Sequence, residues 1–436
     1  MSDAVIFCGA AALSWNPDFL HAARARGLRV LAVETPAARY ADSALLTGDS
    51  GPDALAWVDA GETSALLAVV RDWARAYEVV GICALREDWV EPVGLAADLL
   101  ETPGIGLRAS RACRDKSLQR GYLAAWSPRH TVLPPGDRGA ASHWDGFPAV
   151  LKPTGRSASS GVVALADRDG LRQALTAYPD DEPLLLEERV YGPEFSVESL
   201  VRGGDVVFSG ITGKRTTEET DGGFVEVAHT VPADVSAPLG DALLEANRQV
   251  LRRLDVRDGI IHAEYRVTDT GRVVLTEVNG RCPGGSIPAL YRLATGASLE
   301  DAVVALAVGQ PVTMPAPRRW ARQVYVRHRP GVLEGLDVAE GAPTPVWLAE
   351  EGVRRIPGPA DRSEPGTLRA ITVIKPRGAL LGRLTSNQDR AVTYIVDAPD
   401  IGALDAQERS AEAALHLRVG AVEEAPAAVQ APGATR

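Results

Sequence analysis

Two neighbouring segments of the chain carry carboxylate and amide side chains that could bind a cation. Glu264 lies in the run IIHAEYRV, and Glu277 and Asn279 lie in the run VVLTEVNG. Both runs are typical of strands, and the turn residues between them favour antiparallel pairing. Paired in this way, the two carboxylates would repel each other unless a cation lay between them. All-oxygen ligands suit Mg²⁺ or Mn²⁺ rather than zinc, so we predict a divalent-cation site at Glu264, Glu277 and Asn279.

A second segment has residues that are suited to binding phosphate groups. In PAVLKPTGRSASSGVV, Lys152 ends an apolar strand and is followed by a loop of small residues. The backbone N–H groups of such a loop, which includes Ser159, Ser160 and Gly161, can cradle phosphate oxygens, while Lys152 adds positive charge. The segment is not a Walker loop, because the GK[ST] ending is absent.

A third segment, PLLLEERVYGPEFSVE, indicates a strand that turns into another strand. The first strand ends at Glu187 and Glu188, and the second begins near Glu194. Backbone groups along this edge, up to Val190, could bind an adenine ring, and Glu194 could bind a ribose. The alternative interpretation is a charged strand end without a ligand.

The lysines are few, and three of the four lie in or near these segments. The chain has 46 basic residues, of which only Lys116, Lys152, Lys214 and Lys375 are lysines. Where arginine serves as the usual cation, a retained lysine can mark a position that needs a compact ammonium group. Lys214, in GITGKRTTEE, fits either a site or a solvated loop, and Lys375 belongs to no motif.

The scaffold begins with alternating strands and helices. The run VIFCG, a helix ending at Gly27 and the run LRVLAVET form a strand–helix–strand unit, which is typical of a parallel sheet. The pattern thus predicts an α/β (α+β) chain. Helices are predicted at 62–77, 90–100, 113–126, 236–254 and 401–416, and strands at 259–268 and 272–279.

Composition excludes several other classes of protein. A chain of 436 residues is too long to fold around one hydrophobic core, so two to four domains are expected. A net charge of −11 argues against nucleic-acid binding, and no apolar window predicts a membrane span or signal peptide. The four cysteines form no CxxC pair, which argues against zinc and disulfide frameworks. We therefore expect a cytoplasmic protein with no nucleic-acid or membrane partner.

Taken in order, the segments resemble the ATP-grasp superfamily. The resemblance rests on RDK at 114–116, AVLKPTGRSASSGVV, LLLEERVYGPEFSVE, HAEYRV and LTEVNGRCPGG, and covers about residues 1–310. It implies that ATP and Mg²⁺ (or Mn²⁺) are the cofactors. Lys116 and Lys152 would contact the ATP phosphates and adenine, and Arg281 would stabilise the transferring phosphoryl group. The lid loop GRSASSG has more serine and fewer glycines than many members.

The resemblance also implies the domain organisation. The predicted divisions are a Rossmann-like pre-ATP-grasp domain at 1–112, a linker helix and lid subdomain at 113–190, an ATP-grasp catalytic core at 191–312, a β-rich C-terminal subdomain at 313–420 and a disordered tail at 421–436.

The segment FVEVAHTVPA narrows the resemblance to the L-amino acid ligases, the bacilysin-synthetase-like group. It places Glu226 and His229 near the substrate, with Arg281, Gly284 and Gly285. The implied activity is an ATP-dependent joining of a carboxylate to an amine through an acylphosphate, with an amino acid as one substrate. The group is compatible with a homodimer. His262 and Cys282 lie beside predicted site residues, but each also fits a structural role.

Two alternatives stay open at this point. The chain could be an ATP-grasp carboxylase that makes carboxyphosphate from bicarbonate, of the biotin-carboxylase or purine-pathway type. It could also be an ATP-binding regulator without catalysis, although the retained lysines, carboxylates and Arg281 argue against that. A dinucleotide dehydrogenase is excluded because the N-terminal unit lacks GxGxxG.

Overall fold

The computed structural model describes residues 1–36, 46, 48, 51–60, 62–157, 159–221, 223–355 and 357–421. Residues 422–436 of the predicted tail lie outside the described residues. Across the described part, no helix combines the length and the apolar composition that crossing a membrane requires.

The described elements alternate between strands and helices. The strands are β1 Asp3–Cys8, β2 Arg29–Glu34, β3 Ala54–Trp57, β4 Glu78–Ala84, β5 His130–Leu133, β6 Ala149–Pro153, β7 Val163–Leu165, β8 Leu184–Glu188, β9 Glu194–Arg202, β10 Asp205–Thr216, β11 Glu226–Val231, β12 Gly259–Val267, β13 Val273–Asn279, β14 Trp320–Tyr325, β15 Gly331–Val338, β16 Val346–Trp347, β17 Thr367–Val373, β18 Leu380–Leu381, β19 Val392–Ala398 and β20 Leu415–Gly420. The α-helices are α1 Asp18–Ala25, α2 Thr63–Trp73, α3 Val90–Leu99, α4 Leu107–Ala112, α5 Lys116–Tyr122, α6 Arg168–Leu175, α7 Glu218–Asp221, α8 Ala237–Leu254, α9 Ile287–Thr295, α10 Leu299–Ala307, α11 Leu348–Glu351 and α12 Ile401–Ala414. Short 3-10 helices lie at Ala10–Ser14, Glu87–Trp89, Gly139–His143 and Asn387–Asp389.

The N-terminal sheet is the parallel unit that the sequence predicts. Its strands lie in the order β3-β2-β1-β4, and each pairing is parallel. Val5, Ile6 and Phe7 in β1 are fully buried, since both faces of a parallel sheet are covered by other elements. The α/β class is therefore confirmed.

A nine-stranded sheet, here called the large sheet, forms the centre of the molecule. Its order is β13-β12-β9-β10-β11-β14-β19-β17-β16. Strands β14, β16, β17 and β19 lie beyond the predicted boundary at residue 312, so that boundary does not separate two sheets. The C-terminal part of the chain also forms a three-stranded sheet, in the order β18-β15-β20. The domain boundaries themselves stay predictions.

The helix predicted at 113–126 is shorter in the structure. Residues 107–112 form α4, and α5 begins only at Lys116. The break has a local cause, because the Asp115 side chain accepts hydrogen bonds from the backbone N–H groups of Ser117 (2.7 Å) and Leu118 (3.4 Å). This is the geometry of a helix N-cap, and it places Lys116 in the first turn.

A four-stranded antiparallel sheet, here called the small sheet, faces the large sheet across a cleft. Its order is β5-β8-β6-β7, and α6 follows β7 in the chain. Leu151, Leu184 and Leu186 are buried in its own core cluster. The strands β6 and β8 therefore hold Lys152 and Glu187 on a separately packed scaffold.

Candidate active site

Most of the predicted site residues line one cleft between the small and large sheets. Residues from all five sequence segments lie in this lining, which does not test the role of any of them. The cleft residues that bear on the prediction are Lys116, Arg120, Lys152, Ser159, Ser160, Glu187, Glu188, Val190, Glu194, Glu226, Glu264, Arg266 and Glu277. The other predicted residues lie outside this lining: Gly161, His229, Asn279, Arg281, Gly284 and Gly285.

On the small sheet, one carboxylate serves two cations. Glu187 Oε2 lies 2.6 Å from Lys152 Nζ, and its carboxylate also pairs with the guanidinium of Arg120. Burial would raise the pKa of Glu187, but Arg120 and Lys152 outweigh it and lower that pKa to about 2. Burial lowers the pKa of Lys152, and Glu187 offsets only part of this effect. The surroundings of Lys152 are therefore rich in cations, as a phosphate site requires.

Lys116 connects the phosphate side of the cleft to the predicted metal ligands. Its Nζ donates to the carbonyl of Arg156 (2.8 Å), in the small-residue loop, and lies 3.0 Å from Glu277 Oε1. Ser159 in the same loop adopts a left-handed conformation with φ of 59°. The loop thus adjoins Lys116 and Lys152, the two lysines for which the family resemblance implies phosphate contacts.

The predicted adenine edge is partly engaged in the structure. The backbone N–H groups of Glu188 and Arg189 donate to other segments of the chain, so an adenine would have to use neighbouring groups. The carbonyl of Val190 accepts from Arg266 Nη1 (3.0 Å). Arg266 also binds Glu194 Oε2 through Nε (3.0 Å) and Nη2 (2.9 Å). Sequence reasoning missed Arg266, because its partners Glu194, Val190 and Glu218 lie on distant segments of the chain.

On the large sheet, Lys214 lies among three carboxylates. Its Nζ is 2.6 Å from Glu264 Oε1, 2.7 Å from Glu226 Oε1 and 3.8 Å from Glu194 Oε1. Burial would lower the pKa of Lys214, but Glu226, Glu264 and Glu194 together raise it well above its usual value. The structure places Lys214 in β10, so the solvated-loop alternative is wrong.

The predicted cation ligands are neighbours across two paired strands. Glu264 in β12 is directly opposite Glu277 in β13. Asn279 is 3% exposed, its Nδ2 lies 3.3 Å from Glu277 Oε1, and its Oδ1 has no hydrogen-bond partner among the described residues. A buried acceptor without a donor is costly and is suited to a cation. The donor set of carboxylate and amide oxygens therefore fits Mg²⁺ or Mn²⁺.

Carboxylate oxygens of Glu194, Glu226 and Glu264 also lie within 4.8 Å of one another. Glu226 and Glu194 are therefore closer to the predicted metal position than the sequence indicated. Because Lys214 Nζ lies among these same oxygens, the structure shows an ion-pair cluster at this point.

Three of the predicted substrate residues, Glu226, His229 and Gly285, lie close together just before α9. His229 Nε2 lies 3.3 Å from Glu226 Oε2, and its Nδ1 lies 3.2 Å from Gln323 Oε1. Gly285 has a φ of +64°, and a Cβ there would lie 2.9 Å from Gln323 Oε1 and 2.9 Å from Tyr325 Oη. The turn therefore requires glycine.

Arg281 reaches away from this turn towards the N-terminal region. Its Nη2 lies 3.4 Å from Glu87 Oε2, and its Nη1 donates to the carbonyl of Cys282 (2.9 Å). Burial and the nearby Glu277 raise the pKa of Glu87. Sequence reasoning missed Glu87, because the N-terminal region carried no site motif.

The C-terminal region also reaches the site, which the sequence did not indicate. Asn387 Oδ1 accepts from the backbone N–H of Glu226 (3.0 Å). The guanidinium of Arg390 lies 3.9 Å from the centre of the Tyr325 ring and 3.6 Å from Glu226 Oε2. These contacts depend on the continuity of the large sheet, since β19 begins at Val392, two residues after Arg390.

Comparisons with known proteins agree with this geometry. Residues 145–289 match the model of the ATP-grasp domain. The protein y4rH of Sinorhizobium fredii is 28% identical over 302 residues, which cover 65% of this chain and 60% of that protein. D-alanine–D-alanine ligase A of Mesorhizobium japonicum is 29% identical over 216 residues, which cover 45% of this chain and 58% of that enzyme. The chain thus matches less than two thirds of the length of these relatives.

A solved structure extends the likeness to nearly the whole chain. The L-amino acid ligase of Bacillus licheniformis superposes with a TM-score of 0.76 at 19% identity, covering 96% of this chain and 99% of that one. At this identity the likeness shows a shared fold. The comparisons therefore show an ATP-grasp domain match at residues 145–289 and a fold shared with this ligase over nearly the whole chain.

Proposed function

We propose that the chain is an ATP-dependent carboxylate–amine ligase that takes an amino acid as at least one substrate. The products would be an amide or peptide, ADP and phosphate. The observation that carries the proposal is the cleft itself, which joins the cation-rich surroundings of Lys152 to the carboxylate-rich surroundings of Lys214. Such a cleft suits a nucleoside triphosphate together with a divalent cation.

The proposed reaction has two steps. A carboxylate oxygen of the first substrate attacks the γ-phosphorus of ATP, the bond to the bridging oxygen breaks, and ADP leaves. The amine then attacks the acyl carbon of the acylphosphate, phosphate leaves with the bonding electrons, and the amine loses a proton. No side-chain nucleophile is needed, so the side chains bind and orient the reactants.

The predicted phosphate and metal residues have distinct parts in this scheme. Lys116 and Lys152 would bind the phosphate oxygens, and Arg281 would stabilise the charge that develops on the transferring group. Glu264, Glu277 and Asn279 would hold Mg²⁺, which when bound offsets negative charge on the phosphates.

The substrate would lie beside Glu226, His229 and the glycine turn. Support comes from the direct contact of Glu226 with His229, and from Gly285, which brings the backbone within reach of Gln323 and Tyr325. The homodimer stays a prediction.

The test measures nucleotide products with ATP, Mg²⁺ and pools of amino acids and small carboxylic acids. The proposal expects ADP and phosphate only when a carboxylate and an amine are both present, and splitting the pools would then name the substrates. ADP formed with bicarbonate alone would instead support the carboxylase alternative. AMP and pyrophosphate would show that the acylphosphate scheme is wrong.

A further inference from the structure

His262 links the predicted metal ligand Glu264 to a carboxylate deep in the core. Its Nε2 lies 3.0 Å from Glu264 Oε1, and its Nδ1 lies 2.8 Å from Glu198 Oε1. An ionised carboxylate can only accept hydrogen bonds, so both ring nitrogens carry a proton and donate. With both nitrogens engaged and 4% of the residue exposed, His262 is not itself a metal ligand.

Glu198 is a fixed anchor for this histidine. It is fully buried, and it lies directly opposite His262 in the pairing of β9 with β12. Besides His262, its carboxylate accepts from Ser196 Oγ (2.7 Å), Thr212 Oγ1 (2.6 Å) and Tyr291 Oη (2.9 Å). With hydrogen bonds from four groups, the carboxylate has no freedom to rotate.

The contacts on Glu264 are unequal between its two oxygens. His262 Nε2 and Lys214 Nζ both bind Oε1, at 3.0 Å and 2.6 Å. Among the described residues, no group donates a hydrogen bond to Oε2. Glu264 lines the cleft, so this arrangement leaves one oxygen of the carboxylate available to a cation.

We propose that His262, held by Glu198, is a positioning residue that fixes the Glu264 carboxylate for binding the divalent cation. The inference rests on the proposed function, because it takes Glu264 as a metal ligand. Carboxylates that bind metals are commonly oriented by such hydrogen bonds, and loss of one typically weakens metal binding by about 10–100-fold. The alternative is that His262 only fills space in the core.

Two substitutions separate the two contacts of the ring. The amide nitrogen of asparagine can replace Nδ1 and keep the bond to Glu198, whereas that of glutamine can replace Nε2 and keep the bond to Glu264. Metal affinity would be measured by electron paramagnetic resonance of Mn²⁺ titrated into the full chain with saturating ADP. Thermal unfolding, and the affinity for nucleotide in the absence of metal, would be measured for the same variants. The matched control is His416→Asn, because the His416 side chain is exposed on β20.

The expected result is that His262→Asn weakens Mn²⁺ binding by about tenfold or more, that His262→Gln weakens it less, and that His416→Asn has no effect. Equal Mn²⁺ affinity in wild type and in folded His262→Asn would overturn the proposal, as would equal losses in both variants that follow their thermal stability. If His262→Asn does not fold, Glu198→Gln tests the same link, and unchanged affinity in it would overturn the proposal. Wild-type protein that binds no Mn²⁺ with ADP would refute the proposed function, and this inference with it.

Discussion

Two buried lysines have opposite electrostatic surroundings: Lys152 lines the cleft, and Lys214 lies behind carboxylates that line it. Among the described residues, Lys152 on the small sheet has one carboxylate partner, Glu187, which it shares with Arg120, so burial dominates and lowers the pKa of Lys152. Lys214, on the large sheet, has three carboxylates within 4 Å, and these outweigh burial and raise its pKa. The difference teaches that the two sides of the cleft have opposite charges, one suited to phosphates and the other to cations.

The largest expected effect tests the acidic side of this comparison. Glu277→Gln removes a charge from the predicted metal site while keeping the shape of the side chain. We expect the rate of ADP formation to fall by roughly a thousandfold, since the ligand charge would be lost where the reaction develops charge. Circular dichroism and thermal unfolding should show a folded protein, because the Glu277 side chain is 21% exposed. Turnover near the wild-type rate would rule out Glu277 as a metal ligand.

The next prediction compares how Lys214 and Lys152 contribute to the free energy of unfolding. Lys214→Met leaves Glu226 and Glu264 without their shared ammonium, and should lower the free energy of unfolding by about 3 kcal/mol. Lys152→Met should change it by less than about 1 kcal/mol, because Arg120 still pairs with Glu187. Urea denaturation measures both values. Mn²⁺ should restore part of the lost stability only in Lys214→Met, and equal losses in the two variants would contradict the comparison.

The pH dependence of stability sharpens the description of the cation-rich side. The pKa of Glu187 falls from 4.5 to about 2 on folding, so its contribution is complete above pH 4.5 and is lost as the pH falls towards 2. The shift corresponds to at most about 3 kcal/mol. Urea denaturation would be measured for wild type and Glu187→Gln between pH 2 and pH 6. The difference between their free energies of unfolding should shrink towards the acidic end of this range. If the free energies of unfolding of the two proteins differ by a constant amount across that range, Glu187 is not the group that makes stability depend on pH.

The smallest expected effect concerns shape rather than charge. Lys152→Arg keeps a positive charge, but a planar guanidinium beside Arg120 cannot replace a compact ammonium. We expect the KM for ATP to rise by about tenfold, which equals the loss of one charged hydrogen bond. Arg172→Lys, on the exposed face of α6, is the matched control and should leave the KM unchanged. A wild-type KM in Lys152→Arg would mean that charge alone matters at this position.

Local patterns in the sequence predicted most of the elements around the site. The strands of the metal site were predicted at 259–268 and 272–279, and the structure has Gly259–Val267 and Val273–Asn279. Alternating apolar residues and the Asp269–Gly271 turn carry that information within one hairpin. The same reasoning overestimated the helix at 113–126, because the N-cap at Asp115 outweighed the apolar stripe.

Contacts between distant segments could not be predicted in this way. Lys214 binds Glu264 across 50 residues, and Asn387 binds Glu226 across 161 residues, and neither pair has a spacing that a single sequence reveals. The pairing of β11 with β14 brings the C-terminal residues to the site. Predicting them would have required the strand order of the large sheet.

The continuity of the large sheet across residue 312 limits how the chain can be shortened. Residues 228–231 of β11 pair with residues 321–324 of β14. Expression of residues 1–312 alone would therefore turn β11 from an interior strand into an edge strand with unpaired backbone groups. Such edges promote association between chains, so a truncated protein would aggregate even though every predicted ATP contact lies within it.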